Sequence, residues 1–176
     1  PAVERRGAVA VRCLEAGKNV YFDKPLAGSV EDADAIVAAA RRAAGRTQMF
    51  TQNEAGWVRA ARRAVQEGRV GDLKAVHAEN LFAKGRAGNV PYGTVRREHE
   101  TVPRWTFLEA KREMFDVAVY SLAFVHAMTG LKAESVYGHT GNYFFAEHAG
   151  ADVEDFGALA LTLEGGVTAT AIGGRF

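Results

Sequence analysis

Lys24 follows the apolar run Val20-Tyr21-Phe22 after a single Asp23, and Pro25 comes next. A run this short and apolar suits a strand buried on both faces of a parallel sheet. The carboxyl end of such a strand is the edge at which open α/β sheets gather ligands, and an ammonium there can stabilise developing negative charge. Pro25 keeps Lys24 out of helical geometry and admits either peptide isomer. Farther along, Asp116 and Tyr120 stand four residues apart in Phe115 to Thr129, where Phe115, Val119 and Leu122 recur at helical spacing. Residues four apart share a helix face, with Cβ atoms about 5–6 Å apart, so a carboxylate sits beside a phenol, a pairing suited to proton transfer. Taken alone, the same residues also fit a solvated lysine at a strand end and a core tyrosine whose helix Asp116 caps.

The elements that must position these groups can be read from the pattern around them. Val3, Ala10, Val11 and Leu14 mark a helix over Ala2 to Ala16 that ends at Gly17. Ser29 and Asp32 resemble a capping box for a second helix, whose face runs from Val30 to Ala44 and is closed by Gly45, and Thr47 to Gln52 reads as another buried strand. Alternating helix and strand is the grammar of a doubly wound α/β sheet. Near Asn53 the text changes. Trp57, Ala61, Ala64 and Val65 predict a helix that stops at Gly68, and strands follow at Leu73 to Phe82, Val136 to Phe145, Phe156 to Leu163 and Val167 to Ile172. Glu164-Gly165-Gly166 joins the last two as a tight turn. Several strands with few helices predict an open, largely antiparallel sheet covered on one side. The expected division is therefore 1–53, the C-terminal part of a doubly wound domain, and 54–176, the N-terminal part of an α+β domain. Lys84 to Glu109, broken by Gly85, Gly88, Pro91, Gly93 and Pro103, reads as a long binding loop.

Composition narrows the function classes. The chain has 176 residues, 48% of them hydrophobic, and a formal net charge of +1 with the two signs interspersed. No field points to nucleic acid or an anionic membrane, and a small-molecule ligand is expected. No apolar run reaches the roughly 18 residues of a membrane span. The single Cys13 reads as a small helix hydrophobe, which together with Pro1 to Arg6 lacking a signal-peptide layout suggests the cytoplasm. The five histidines form no ligand spacing, so no metal site is expected. No serine lies in G-x-S-x-G, which leaves hydrolase chemistry unsupported.

The segment from Cys13 to Ser29, with Ala16-Gly17-Lys18-Asn19-Val20 and Asp23-Lys24-Pro25-Leu26-Ala27, resembles the Gfo/Idh/MocA oxidoreductase family, in which a strand ends in Glu-Lys-Pro-Leu-Ala. Glu67 to Val76 resembles the segment leading into the second domain of that family, and Phe115 to Leu122 resembles its Asp-x-Gly-x-(His/Tyr) helix. The resemblance implies a Rossmann dinucleotide-binding domain, NAD or NADP as cofactor, and hydride transfer at a hydroxyl-bearing carbon of a sugar, cyclitol or diol. It carries catalytic roles to Lys24 and Tyr120, with Asp116 as a further candidate. Many members have His where this chain has Tyr120, whereas glucose-fructose oxidoreductase-like and dihydrodiol dehydrogenase-like members carry Tyr there. The resemblance therefore points to those branches ahead of the inositol dehydrogenase branch.

Within that resemblance, Asp23, Lys24, Pro25 and Asn53 are candidates for the cofactor, and Lys24, Trp105 and Tyr120 for the substrate. Arg104, Lys111 and Arg112 precede the Tyr120 helix and could line a sugar pocket. The sequence departs from the family at Asp23, at Gln52-Asn53 where Arg is frequent, and at Arg112-Glu113 where glycines are frequent. It contains no G-x-G-x-x-G. In the family that fingerprint lies before the residue matching Pro1, so an interior fragment, inactive alone, is expected. An ordinary phenol titrates at about 10, and a nearby ammonium favours its ionised form, which suits Lys24 and Tyr120 converging across a domain cleft. The open sheet implies a homo-oligomer. The rival reading is a non-catalytic family member that serves as an oligomerisation or ligand-sensing module.

Overall fold

In the computed structural model, residues 3–83 and 112–176 are described. The chain divides into two units, Pro1–Thr51 and Gln52–Phe176, each taken by itself below. Among the described residues no helix is long and apolar enough to cross a membrane.

The first unit begins with α1 (Val3–Glu15), followed by β1 (Val20–Phe22), α2 (Val30–Arg42) and β2 (Thr47–Met49). Ser29 caps α2 by accepting the Asp32 N–H at 3.1 Å, which satisfies one of the orphan donors of the first turn. Ala10 and Leu14 of α1, Phe22 of β1, Ala27, and Ile36 and Ala39 of α2 form one buried cluster. β1 and β2 run parallel, with Val20 opposite Thr47 and Phe22 opposite Met49. Three expectations are corrected here. Tyr21 is 65% exposed, because both helices pack on the Phe22 side of the pair. β2 stops at Met49, and only Met49 packs against the cluster. Gly45 does not close α2, whose C-cap is Ala43. Its need is for space, since a Cβ there would lie 2.2 Å from the Lys18 carbonyl oxygen.

The second unit contains α3 (Gly56–Gln66), β3 (Ala75–Phe82), a π turn (Met114–Ala118), α4 (Val119–Thr129), β4 (Ala133–Gly141), α5 (Ala146–Gly150), β5 (Phe156–Leu163) and β6 (Thr168–Arg175). The sheet order is β3-β6-β5-β4, with β3 parallel to β6 and the other two pairs antiparallel. Period-two alternation sends Ala78, Ala169, Ala171, Leu161 and Leu163 to one face, where Val125 and partly buried Leu122 and Phe124 of α4 cover them. Trp57 of α3 stacks on Phe124 with ring centroids 5.8 Å apart. The opposite face carries the cross-strand row His77, Thr170, Ala160 and Tyr137, and Tyr137 is 75% exposed. The open, largely antiparallel sheet with helices on one side is thus the observed architecture.

Three elements differ from the sequence expectation, the first being β6, which runs on to Arg175 rather than stopping at Ile172. β4 ends at Gly141 rather than at residue 145, and Phe145, fully buried, precedes the short α5. The expected single helix over 115–129 starts instead as a π turn, a wider winding often found where a helix carries function. Its backbone lies directly on β6. A Cβ built at Gly173 would sit 2.4 Å from the Ala118 Cα, and one at Gly157 would sit 2.1 Å from the Met114 sulfur. The loop expected over 84–109 lies outside the described residues.

Gly173→Ala is expected to lower stability by about 1–3 kcal/mol, the usual cost of forcing an extra methyl into packed backbone. Gly56→Ala, at the first residue of α3 with nothing within 4 Å, should be neutral or slightly stabilising. Denaturant midpoints of the two variants check this, and equal midpoints would contradict the close-approach account.

Candidate functional site

Lys24 emerges from β1 at the carboxyl end of the parallel pair. The two strand ends lie side by side, since the Phe50 N–H donates to the Phe22 carbonyl at 2.8 Å. The turn that carries Lys24 is held twice. The Lys24 N–H donates to the Asp23 carboxylate at 2.8 Å, and Arg6 of α1 donates from Nη1 to the Asp23 carbonyl at 2.8 Å and to the Pro25 carbonyl. The Lys24–Pro25 bond is cis. Lys24 is half-buried while Asp23 is exposed. A strand-end ammonium on a stapled turn can meet a negatively charged or charge-developing group, and the Asp23-Lys24-Pro25 turn is where this unit could hold part of a dinucleotide.

In the second unit, Asp116 lies within the π turn and Tyr120 near the start of α4. Ser121, fully buried, fixes the helix against the sheet: its hydroxyl donates to the Ile172 carbonyl at 2.7 Å and accepts from Asn80 Nδ2 at 2.9 Å. Asp116 does not act as a simple cap, because its carboxylate receives Arg175 Nη2 at 2.7 Å. Arg175 Nε donates to Glu113 at 2.9 Å, and Glu113 has no solvent exposure. Burial works against the Arg175 charge, yet the two carboxylates outweigh it and push its pKa up. Behind Glu113 stands buried His148, with Nε2 3.8 Å from a Glu113 oxygen and Nδ1 3.1 Å from the Glu154 carbonyl.

The residues just before the π turn are anchored as well. Glu154 accepts from Arg112 Nη1 at 2.8 Å and from the Met114 N–H at 3.2 Å. Next to it, buried Asp155 accepts the backbone N–H groups of Tyr143, Phe144 and Phe145 at 2.8–3.1 Å. The sequence offered Arg112 as a possible sugar-pocket residue and as a departure from the family pattern, and Glu113 only as such a departure. Arg112 is instead paired with Glu154, and Arg6, Arg175, Glu154 and Asp155 were not singled out. No signal marked Arg175, because the sequence reading ended the last strand at Ile172, three residues before it, whereas β6 runs on to Arg175.

Asn53, half-buried in the second unit, donates from Nδ2 to the Ala123 carbonyl of α4 at 2.9 Å, so its amide has a structural task. Trp105, with Arg104 and Lys111, lies outside the described residues. Among the described residues no three His, Cys, Asp or Glu side chains gather as a metal-binding group.

Comparison with known proteins adds ancestry to this geometry. Residues 4–51 match the oxidoreductase family with an NAD-binding Rossmann fold, and residues 58–176 match the GFO/IDH/MocA C-terminal domain. No curated protein matches the sequence. Among solved structures, scyllo-inositol dehydrogenase from Lactobacillus casei superposes with a TM-score of 0.78 at 17% identity over 99% of this chain and 47% of its own. Myo-inositol 2-dehydrogenase from Lactobacillus plantarum gives 0.78 at 20% over 99% and 49%. Aldose-aldose oxidoreductase from Caulobacter crescentus, complexed with glycerol, gives 0.73 at 20% over 98% and 48%. These similarities establish the fold, and the chain spans about half the length of each of those structures.

Removing Glu113 strands part of the Arg175 charge in a poorly hydrated place. Glu113→Ala is expected to cost about 3 kcal/mol of stability. Glu113→Gln, whose amide oxygen still accepts from Nε, should cost clearly less. Urea unfolding of both variants tests this, and equal losses would remove the ionic account of the contact.

Proposed function

This chain belongs to the Gfo/Idh/MocA oxidoreductase family, with its two family segments in order along the sequence, and we propose that the intact protein is an NAD- or NADP-dependent dehydrogenase. Its substrate in this reading is a sugar, cyclitol or diol oxidised at a hydroxyl-bearing carbon. The observation that carries the reading is Lys24, which leaves a parallel strand at its carboxyl end on a turn stapled by Arg6 and Asp23. That edge suits the nicotinamide half of a dinucleotide, with Asp23, Lys24 and Pro25 as the residues that would hold it. Asn53, which already donates to the Ala123 carbonyl, is proposed only as a secondary contact, and Trp105 as a substrate contact.

When bound, the nicotinamide supplies the hydride acceptor. The residues of this chain must then manage the proton and the charge. A carbinol that loses hydride becomes a carbonyl only if its hydroxyl proton also leaves, so a base is required. Tyr120 takes that proton, and in the reverse direction its hydroxyl returns it. Lys24 stabilises the negative charge that develops on the substrate oxygen. Asp116, one turn before Tyr120, accepts a neighbouring substrate hydroxyl and so orients the carbon that reacts. Assembly is proposed through the uncovered sheet face, which is supported by the exposed Tyr137 on β4 beside the small Ala160 and Thr170 of the central strands.

In the intact protein, Lys24→Ala and Tyr120→Phe are each expected to lower kcat by about a hundredfold or more while circular dichroism stays unchanged. The assay is nucleotide reduction monitored by absorbance, run on a panel of sugars, cyclitols and diols with both nucleotides. Near-normal turnover in both variants would defeat the assigned roles. Tyr137→Lys should reduce the assembled mass seen by light scattering, and an unchanged mass would rule out assembly through this face.

A further inference from the structure

Arg175 joins the end of β6 to the residue just before the π turn, Glu113, and to Asp116 within it, ahead of Tyr120. Its Nε contacts Glu113 at 2.9 Å and its Nη2 contacts Asp116 at 2.7 Å. One planar fork thus spans two carboxylates three residues apart. Glu113 is fully buried, so it has no water to turn towards, and His148 stands behind it at 3.8 Å. The guanidinium is therefore fixed from the protein interior. The side it offers to Asp116 is fixed with it. Asp116 remains 23% exposed, so its side chain keeps a face towards solvent while one oxygen is held.

We infer that Arg175 is a positioning residue: backed by Glu113, it keeps Asp116 ionised and in a single orientation one turn ahead of Tyr120. This rests on the proposed reading in which Asp116 and Tyr120 serve the reaction. A guanidinium suits the task because it stays protonated at every accessible pH and its donors are rigidly spaced. A lysine would keep the charge but offer a rotating point in place of a fork. A carboxylate left without the fork could rotate and would take up a proton more readily.

Arg175→Lys and Arg175→Gln are made in the intact protein, alone and combined with Asp116→Asn. Each is read by steady-state kinetics and by carbon NMR titration of the Asp116 carboxyl group. Arg175→Lys is expected to lower kcat about tenfold or more while KM changes less than about threefold. Adding Arg175→Lys to Asp116→Asn should cause no further loss, since both changes remove one oriented carboxylate. In Arg175→Gln the Asp116 carboxyl should protonate at higher pH than in the parent. Arg175→Lys takes its place if the glutamine variant does not fold, with a smaller upward shift expected. Unchanged kcat in both Arg175 variants, or losses that add in full to that of Asp116→Asn, would overturn the inference. Should the parent protein oxidise no hydroxylated substrate, the proposed function falls by itself. The carboxyl titration then decides this inference, upheld by an upward shift and overturned by none.

Discussion

A guanidinium with only a quarter of its side chain in contact with water must be met by opposite charge, and Arg175 is met by two carboxylates. This requirement organises the second unit. Arg175 ends β6, Glu113 and Asp116 flank the start of the π turn, and satisfying the charge draws strand end and helix start together. Replacing such a pair with apolar groups can be neutral or even stabilising, whereas removing one partner is costly.

Close contact between the π turn and the sheet is the companion constraint. Gly173 lets the Ala118 backbone rest on the backbone of β6, and Gly157 leaves room for the Met114 side chain over β5. Ser121 then ties the next turn to the Ile172 carbonyl and to Asn80. With three kinds of contact along two helical turns, ionic, steric and hydrogen-bonded, the rotation of α4 has little freedom, and Tyr120 inherits its direction. The first unit achieves a similar end with fewer parts. There Arg6 reaches from α1 to two carbonyls of the Lys24 turn, and Asp23 closes the turn on itself.

The distribution of polar groups separates the two faces of the sheet. On the covered face, small residues such as Ala78, Ala169 and Ala171 let α4 approach, and Leu161 and Leu163 fill the remaining space. On the other face, Thr170 and Ala160 present a shallow surface bordered by His77 and Tyr137. Burying the apolar part of such a face in an assembly is favourable at about 25 cal/mol per Å². That is the physical basis of the assembly proposed above.

Local rules made most of the architecture legible. Ser29 and Asp32 announced α2 because capping is settled within four residues, and Phe156 to Leu163 announced β5 because alternation is settled within a strand. Gly130 marked the end of α4 for the same reason, adopting a left-handed conformation that glycine takes without steric cost. The motif around Lys24 and the Asp116–Tyr120 pair also stood out in the sequence, and with them the family. Tertiary structure alone decided the rest. Tyr21 lies exposed because both helices chose the Phe22 face, and Asn53 spends its amide on Ala123, seventy residues away. No periodicity records that Arg175 answers Glu113 and Asp116, since those residues are 62 and 59 positions apart. A sequence states which groups are charged and which short segments can wind or extend. Which charge neutralises which is determined only when folding removes the water that would otherwise serve each of them.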